Sequence, residues 1–245
     1  MKEMDLRKTL LFFGVPGIVI FIMFNWVYLL LIKFHLPVHW VTFICLWVPL
    51  LILLGIVLFD FKKSALDFKE YFWVKKLTKK QLLIVLGAFI IVQGGEAFLS
   101  FTRPILSSLP GFGVPEFFPD IFRIDTNFEI PLKTFLGINL PGNLYPLWFF
   151  ALWLIVNIGC EEILWRGYAL PRMEKYFGKW AWIVNGLLWN ISIHFFMRWS
   201  FIALLPVSLV VPYLSQRYKS LWPGVIVHGL GNVLLYVVLI PSVIN

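Results

Sequence analysis

Long apolar runs nearly free of charge dominate the sequence, at about Leu10 to Ile32, Trp40 to Phe59, Gln81 to Phe101, Leu144 to Leu164, Trp180 to Met197, Phe201 to Ser215 and Leu221 to Ile240. Each is near the roughly 20 residues that carry a helix across a bilayer. The expected fold is therefore all-α, a polytopic membrane helix bundle of about seven transmembrane helices. Composition points the same way, with 60% hydrophobic residues, 14% charged residues and a mean hydropathy of +0.85, far from the values of a soluble domain. The first run follows Lys2, Arg7 and Lys8 as a secretory signal would. It is longer than a signal's apolar core and lacks a small-residue cleavage site, so it reads as a retained span.

A formal charge of +8 raises the question of nucleic acid, but the cations sit at the ends of apolar runs, where they report topology instead. Lys62, Lys63, Lys69, Lys75, Lys76, Lys79 and Lys80 lie between the second and third runs; Arg172, Lys175 and Lys179, then Arg217 and Lys219, mark later turns on the same side. The segment 103–143 balances Arg103, Arg123 and Lys133 against Glu116, Asp120, Asp125 and Glu129. The positive-inside rule then predicts a multi-pass cell-membrane protein with a cytosolic N-terminus and an external C-terminus. Its Lys-rich composition and lone compact membrane domain point to a bacterial plasma membrane.

One integral membrane domain, 1–245, accounts for the whole chain. The N-terminal part, 1–143, holds three spans, a basic cytosolic loop at 60–80 and the 103–143 segment. The basic loop reads either as a solvated connection or as a strip attracted to anionic lipid at about 1 kcal/mol per cation. Pro104, Pro110, Pro115, Pro119 and Pro131 exclude one continuous helix over 103–143, so external or re-entrant structure is expected there. Cys45 and Cys160 fall inside apolar runs, which argues against both a structural disulfide and a reactive thiol.

Ionisable groups within such runs are costly in hydrocarbon and usually carry function. Glu161, Glu162 and Arg166 end the fourth run. Glu162 and Arg166 are one helical turn apart and can pair, while Glu161 points about 100° away. His194 with Asn190, and His228 with Asn232, repeat the four-residue spacing in later runs. Each pair alone reads equally as helix-packing glue, and the glutamates alone could mark the cytosolic end of a helix. Depth separates these readings. Counted from Arg172, Lys179 and Lys219 at about 1.5 Å per residue, Glu161, His194 and His228 lie roughly 16, 22 and 14 Å into a layer about 30 Å thick. All three can meet near the midplane. Glu96, with Gln93, Gly94 and Gly95, is the other charge in a run; it reads as lining a substrate path or as lying toward the external end of its helix, and it is left out of the catalytic set.

The pattern resembles the CPBP intramembrane proteases, also called the CAAX-protease and bacteriocin-processing or ABI family. That family's E-E-x-x-x-R motif is matched by Glu161, Glu162 and Arg166, continuing Gly167-Tyr168-Ala169-Leu170-Pro171-Arg172, and its H-x-x-x-N motif by His228 and Asn232. Its F-x-x-x-H motif is met only at His194: Asn190 stands four before it, and the aromatic Trp189 is one place off. The resemblance covers about 144–240.

It implies an intramembrane endopeptidase acting on a membrane-associated or lipidated protein or peptide. Peptide hydrolysis needs an activated water, oxyanion donors and a proton for the leaving amine. In that scheme Glu161 is the general base, His194 holds the same water, His228 and Asn232 form the oxyanion hole, and Glu162 with Arg166 fixes the geometry. A metal-dependent version uses Glu161, His194 and His228 as ligands of a divalent ion such as zinc, leaving one position for water. A non-catalytic membrane protein of immunity or regulatory type that retains the protease fold is the competing reading. A small-solute transporter is a third, disfavoured by the lack of two related halves. Membrane lipid and a membrane-associated peptide are the expected partners, with no nucleic acid.

Overall fold

The computed structural model describes residues 2–124 and 131–244, together with the backbone but not the side chain of Asp120. Asp125 and Glu129, counted above among the acids of 103–143, lie outside the described residues.

Helices account for nearly all regular structure, as the apolar runs dictate: a backbone without water must pair with itself. We label α1 (Leu6–Lys33), α2 (Val38–Lys62), α3 (Lys79–Leu99), α4 (residues 145–177), α5 (residues 181–193), α6 (Leu205–Tyr218) and α7 (Trp222–Ile244). Five helical stretches among the described residues are long and apolar enough to cross a membrane: Leu6–Lys33, Val38–Lys62, Lys79–Leu99, Tyr145–Ile193 and Trp222–Ile244. This is fewer than the seven runs for two physical reasons. Tyr145–Ile193 is a single helical stretch of 49 residues that contains two runs, α4 and α5, folded back at Gly178, whose φ is +55°. The Phe201 to Ser215 run forms only a 14-residue helix, Leu205–Tyr218, about 21 Å long at 1.5 Å per residue.

Lipid, rather than water, is the solvent that suits the outer surface. Leu83, Ile90, Ile91 and Phe98 along α3 are 70–73% exposed, a continuous apolar stripe that no soluble monomer carries. Inside, α4 packs against α2 and α7 and forms a hairpin with α5; α6 packs against α3, α5 and α7, and α1 lies along α5. The hairpin is tied by the fully buried Asn185 of α5, whose Nδ2 donates to the Trp165 carbonyl of α4 at 2.9 Å.

At the lysine-rich end, the basic loop is anchored rather than free. Asp60 at the end of α2 accepts from the Tyr71 hydroxyl at 2.5 Å and from Tyr168 at 3.1 Å. The Arg172 guanidinium stacks on both tyrosine rings, 4.3 and 3.7 Å from their centroids. Burial, then the bond to Asp60, pushes the Tyr71 hydroxyl pKa up. Further along, Ser220 Oγ donates to the Lys75 carbonyl at 2.6 Å, while all seven lysines of this segment remain exposed.

Between α3 and α4 the proline-rich segment is broken up as expected. It contains a short helix Thr102–Ser107, a turn at Asp120–Phe122 and a two-stranded hairpin pairing Thr134–Phe135 with Ile138–Asn139. Trp199 Nε1 donates to the Phe122 carbonyl at 3.2 Å, and Leu132 N–H to Ser242 Oγ at 2.8 Å, which pins the segment to the bundle. Cys45 and Cys160 are buried and free.

The Asn185 tie makes a quantitative expectation. Asn185→Ala should cost roughly 1 kcal/mol for the lost hydrogen bond and lower the thermal midpoint of the purified protein in detergent, whereas the same change at exposed Asn139 should leave it unmoved.

Candidate active site

The residues singled out by the sequence converge from three helices: Glu161, Glu162 and Arg166 on α4, His194 at the end of α5, His228 and Asn232 on α7. Two departures from α-helical geometry set their directions. α4 becomes π-helical over Glu162–Ala169, and α5 over Trp189–Ile193. A π turn pairs residues five apart, so Trp189, not Asn190, shares a face with His194. The rings meet edge to face at 4.5 Å, and His194 Nδ1 lies 3.2 Å from the Trp189 carbonyl. The aromatic that stands one place off in sequence is thereby returned to the histidine. Asn190 instead turns away, donating to the Phe201 carbonyl at 2.9 Å. Helix α5 ends at Ile193, so His194 sits at a helix end rather than within the span.

Four of the six candidates, Glu161, His194, His228 and Asn232, line one cavity of about 610 Å³ together with Trp189 and Asn157. Glu162 and Arg166 lie behind this wall, both fully buried. Glu162 Oε1 is 3.4 Å from Arg166 Nη1 and accepts from His228 Nδ1 at 3.0 Å. Trp189 closes the other side of the arginine, its ring 4.3 Å below the guanidinium. The guanidinium nitrogens make no hydrogen bond among the described residues, so charge and the indole face hold the side chain. Glu161 Oε2 accepts from Trp189 Nε1 at 2.5 Å.

Hydrogen-bond logic assigns the ring protons. A carboxylate and a carbonyl only accept, so Nδ1 carries the proton in both histidines. Nε2 of His194 is left as an acceptor, and Nε2 of His228 is the nitrogen turned from Glu162. Asn232 Nδ2 donates to the His228 carbonyl at 3.0 Å, and its Oδ1 accepts from Asn157 at 3.2 Å. Its second N–H is available to a bound group.

Among the described residues, no three His, Cys, Asp or Glu side chains are grouped so as to hold a metal ion. The trio Glu161, His194 and His228 thus shares a cavity without forming a ligand set in this arrangement.

Residues 143–234 match the family model described as type II CAAX prenyl endopeptidase Rce1-like. The match is confined to these residues, and it is there that the chain is similar to the CAAX-protease family. A relative, UPF0177 protein YbdI of Lactococcus lactis subsp. lactis (strain IL1403), is 32% identical over 102 residues, which is 40% of this chain; the chain spans 54% of that relative's length. No solved structure matches. The matched segment contains all six candidates and four of the helices that line the cavity, α4, α5, α6 and α7, but not the wall contributed by α2, α3, Arg103 and residues 121–124.

Within the matched segment, Asn157 and Trp189 are polar-bonded cavity residues outside the set expected from sequence. Asn157 lies one turn before Glu161 on the same helix face, the same four-residue spacing that relates the other candidates. Trp189 was seen only as a displaced aromatic; its bond to Glu161 depends on a π turn that no residue pattern announces.

One close approach is diagnostic. A methyl group on Gly224 of α7 would overlap the Glu162 carboxylate, so Gly224 is the floor on which that carboxylate rests. Gly224→Ala should destabilise by about 1–3 kcal/mol through overpacking. The cost should shrink in a Glu162→Ala background, a coupling readable from denaturation midpoints of the four-member cycle.

Proposed function

We propose that the protein is an intramembrane endopeptidase that hydrolyses a peptide bond of a membrane-associated or lipidated protein or peptide. The observation that carries this reading is the cavity itself: Glu161, His194, His228 and Asn232 face one space of about 610 Å³, with Glu162 and Arg166 supporting them from behind.

The substrate carbonyl enters between the two histidine-bearing walls. A water held by the Glu161 carboxylate and His194 Nε2 attacks the carbonyl carbon, and Glu161 takes its proton. The developing oxyanion meets His228 Nε2–H and the second N–H of Asn232. Donors already in place cost no reorganisation as charge develops. For His228 to donate from Nε2 while Nδ1 donates to Glu162, the ring must be an imidazolium; the Glu162 carboxylate 3.0 Å away balances that charge. Arg166, 3.4 Å from the same Glu162 oxygen, adds a second positive charge against that carboxylate in the apolar interior. Glu161 then passes its proton to the leaving amine. Trp189, donating to Glu161 at 2.5 Å and lying under Arg166, holds the base apart from the buried pair. The remaining lining, including Leu46, Trp47, Phe122, Trp153, Phe196 and Leu204, suits an extended apolar peptide.

A divalent ion, if one binds at Glu161, His194 and His228, would polarise the water. No step above needs it.

Cleavage of a panel of membrane peptides by purified protein in nanodiscs tests the reading. Glu161→Gln and His228→Ala should each lower kcat by about 100- to 10,000-fold while the thermal midpoint stays near that of the wild type for Glu161→Gln. Trp189→Phe keeps the ring under Arg166 and removes the indole donor, so a smaller loss is expected. Turnover surviving in a metal-free preparation with chelator separates the metal-free route from the metal-dependent one. Full cellular function of the Glu161→Gln variant would overturn the enzyme reading in favour of a scaffold.

A further inference from the structure

The cavity holds a carboxylate that the reaction above leaves unused. Glu96 of α3 lines the same space and lies outside the matched segment 143–234. Its helix is otherwise apolar and turned to lipid, a setting in which an ionisable group is retained at a cost. Glu96 is not turned to lipid: it is half-buried on the cavity side, where Gln93, one turn earlier, donates from Nε2 to Glu96 Oε2 at 3.2 Å.

Gln93 is seated against the catalytic wall. A Cβ on Gly231 would lie 3.1 Å from its Nε2, and Gly231 falls between His228 and Asn232 on α7. The Gln93–Glu96 pair thus sits beside the proposed oxyanion donors. Among the described residues Glu96 makes no hydrogen bond to Glu161, His194 or His228, so it stands outside their proton network. Arg103, Arg123 and His228 line the same cavity, and neither Arg103 nor His228 forms an ion pair with Glu96 within 4.0 Å. Such a carboxylate acts on a ligand through its charge. The ligand group that suits it is a cation, which would also offset the burial of the acid.

We propose that Glu96, held by Gln93, is a specificity residue that selects peptides bearing a lysine or arginine side chain close to the scissile bond. The inference rests on the endopeptidase reading, and charge complementarity is its content: the rest of the cavity accepts apolar side chains, and this one position asks for a positive one.

A set of otherwise identical membrane peptides, each with Lys, Gln or Glu scanned through the positions flanking the cleaved bond, provides the test. Wild-type protein should prefer Lys at one position, by tenfold or more in kcat/KM over Gln, with the effect mostly in KM. Glu96→Gln should erase that preference and leave turnover of the Gln peptide unchanged. Glu96→Lys should invert it in favour of the Glu peptide. A uniform loss of turnover for all peptides in Glu96→Gln, or no charge preference at any position in the wild type, would overturn the proposal. Binding of the same fluorescent peptides to Glu161→Gln protein separates this question from catalysis. A Lys preference in binding that is lost in the Glu161→Gln, Glu96→Gln double variant would support Glu96 even where the wild type cuts nothing. Absence of charge-dependent binding there would count against it.

Discussion

The structure is organised around the cost of burying Glu162. A fully buried carboxylate survives in an apolar bundle only if opposite charge and hydrogen-bond donors surround it. Here those come from the same helix, through Arg166, and from α7, through His228. Removing either partner would strand charge in the interior. The Glu162 cluster therefore couples α4 to α7 more specifically than apolar packing does, and Gly224 is the small residue that lets the two helices close over it. Trp189 adds α5 by stacking on the arginine and donating to the neighbouring glutamate.

Function in this scheme follows from separation of two adjacent acids. Glu161 and Glu162 are consecutive, yet one faces the cavity and the other is sealed behind it. Helical geometry alone points them about 100° apart. The tertiary structure assigns them different company: an indole N–H for Glu161, an arginine and a histidine for Glu162. Two chemically identical groups thereby acquire different tasks, one poised toward substrate and one holding the charge of an oxyanion donor. The same economy recurs in the histidines, where a carbonyl leaves one with a free acceptor nitrogen and a carboxylate supports the other as a donor.

The N-terminal half contributes cavity walls rather than the motif residues, and the proposed selectivity rests on it. α2 and α3 supply cavity walls, residues 121–124 border the same space, and Glu96 introduces, among the described residues, an acid that stands apart from the Glu161 network. This part of the chain lies outside the matched segment, so the family resemblance reaches the motif residues but not these walls.

Much of this was legible in the residues. Apolar runs of about 20 residues dictate helices because lipid offers no partner to a backbone amide. The four-residue spacings of Glu162 with Arg166 and His228 with Asn232 dictate shared faces, and depth counted from the flanking cations brings three runs to a common level. What the residues did not contain was the local helical pitch and the folding back of the chain. The Trp189 bond to Glu161 and the turning away of Asn190 depend on a π turn, which arises because the packed environment tolerates one extra residue in a helix, not because any residue type demands it. Likewise, two apolar runs joined into a single folded stretch at Gly178, and Asn157 reached Asn232 across the bundle. Sequence by itself determined which groups had to be buried and on which helix faces, since period and hydrophobicity are local properties. Only the tertiary structure decided which buried groups met, because a hydrogen bond between α4, α5 and α7 depends on how whole helices pack against one another.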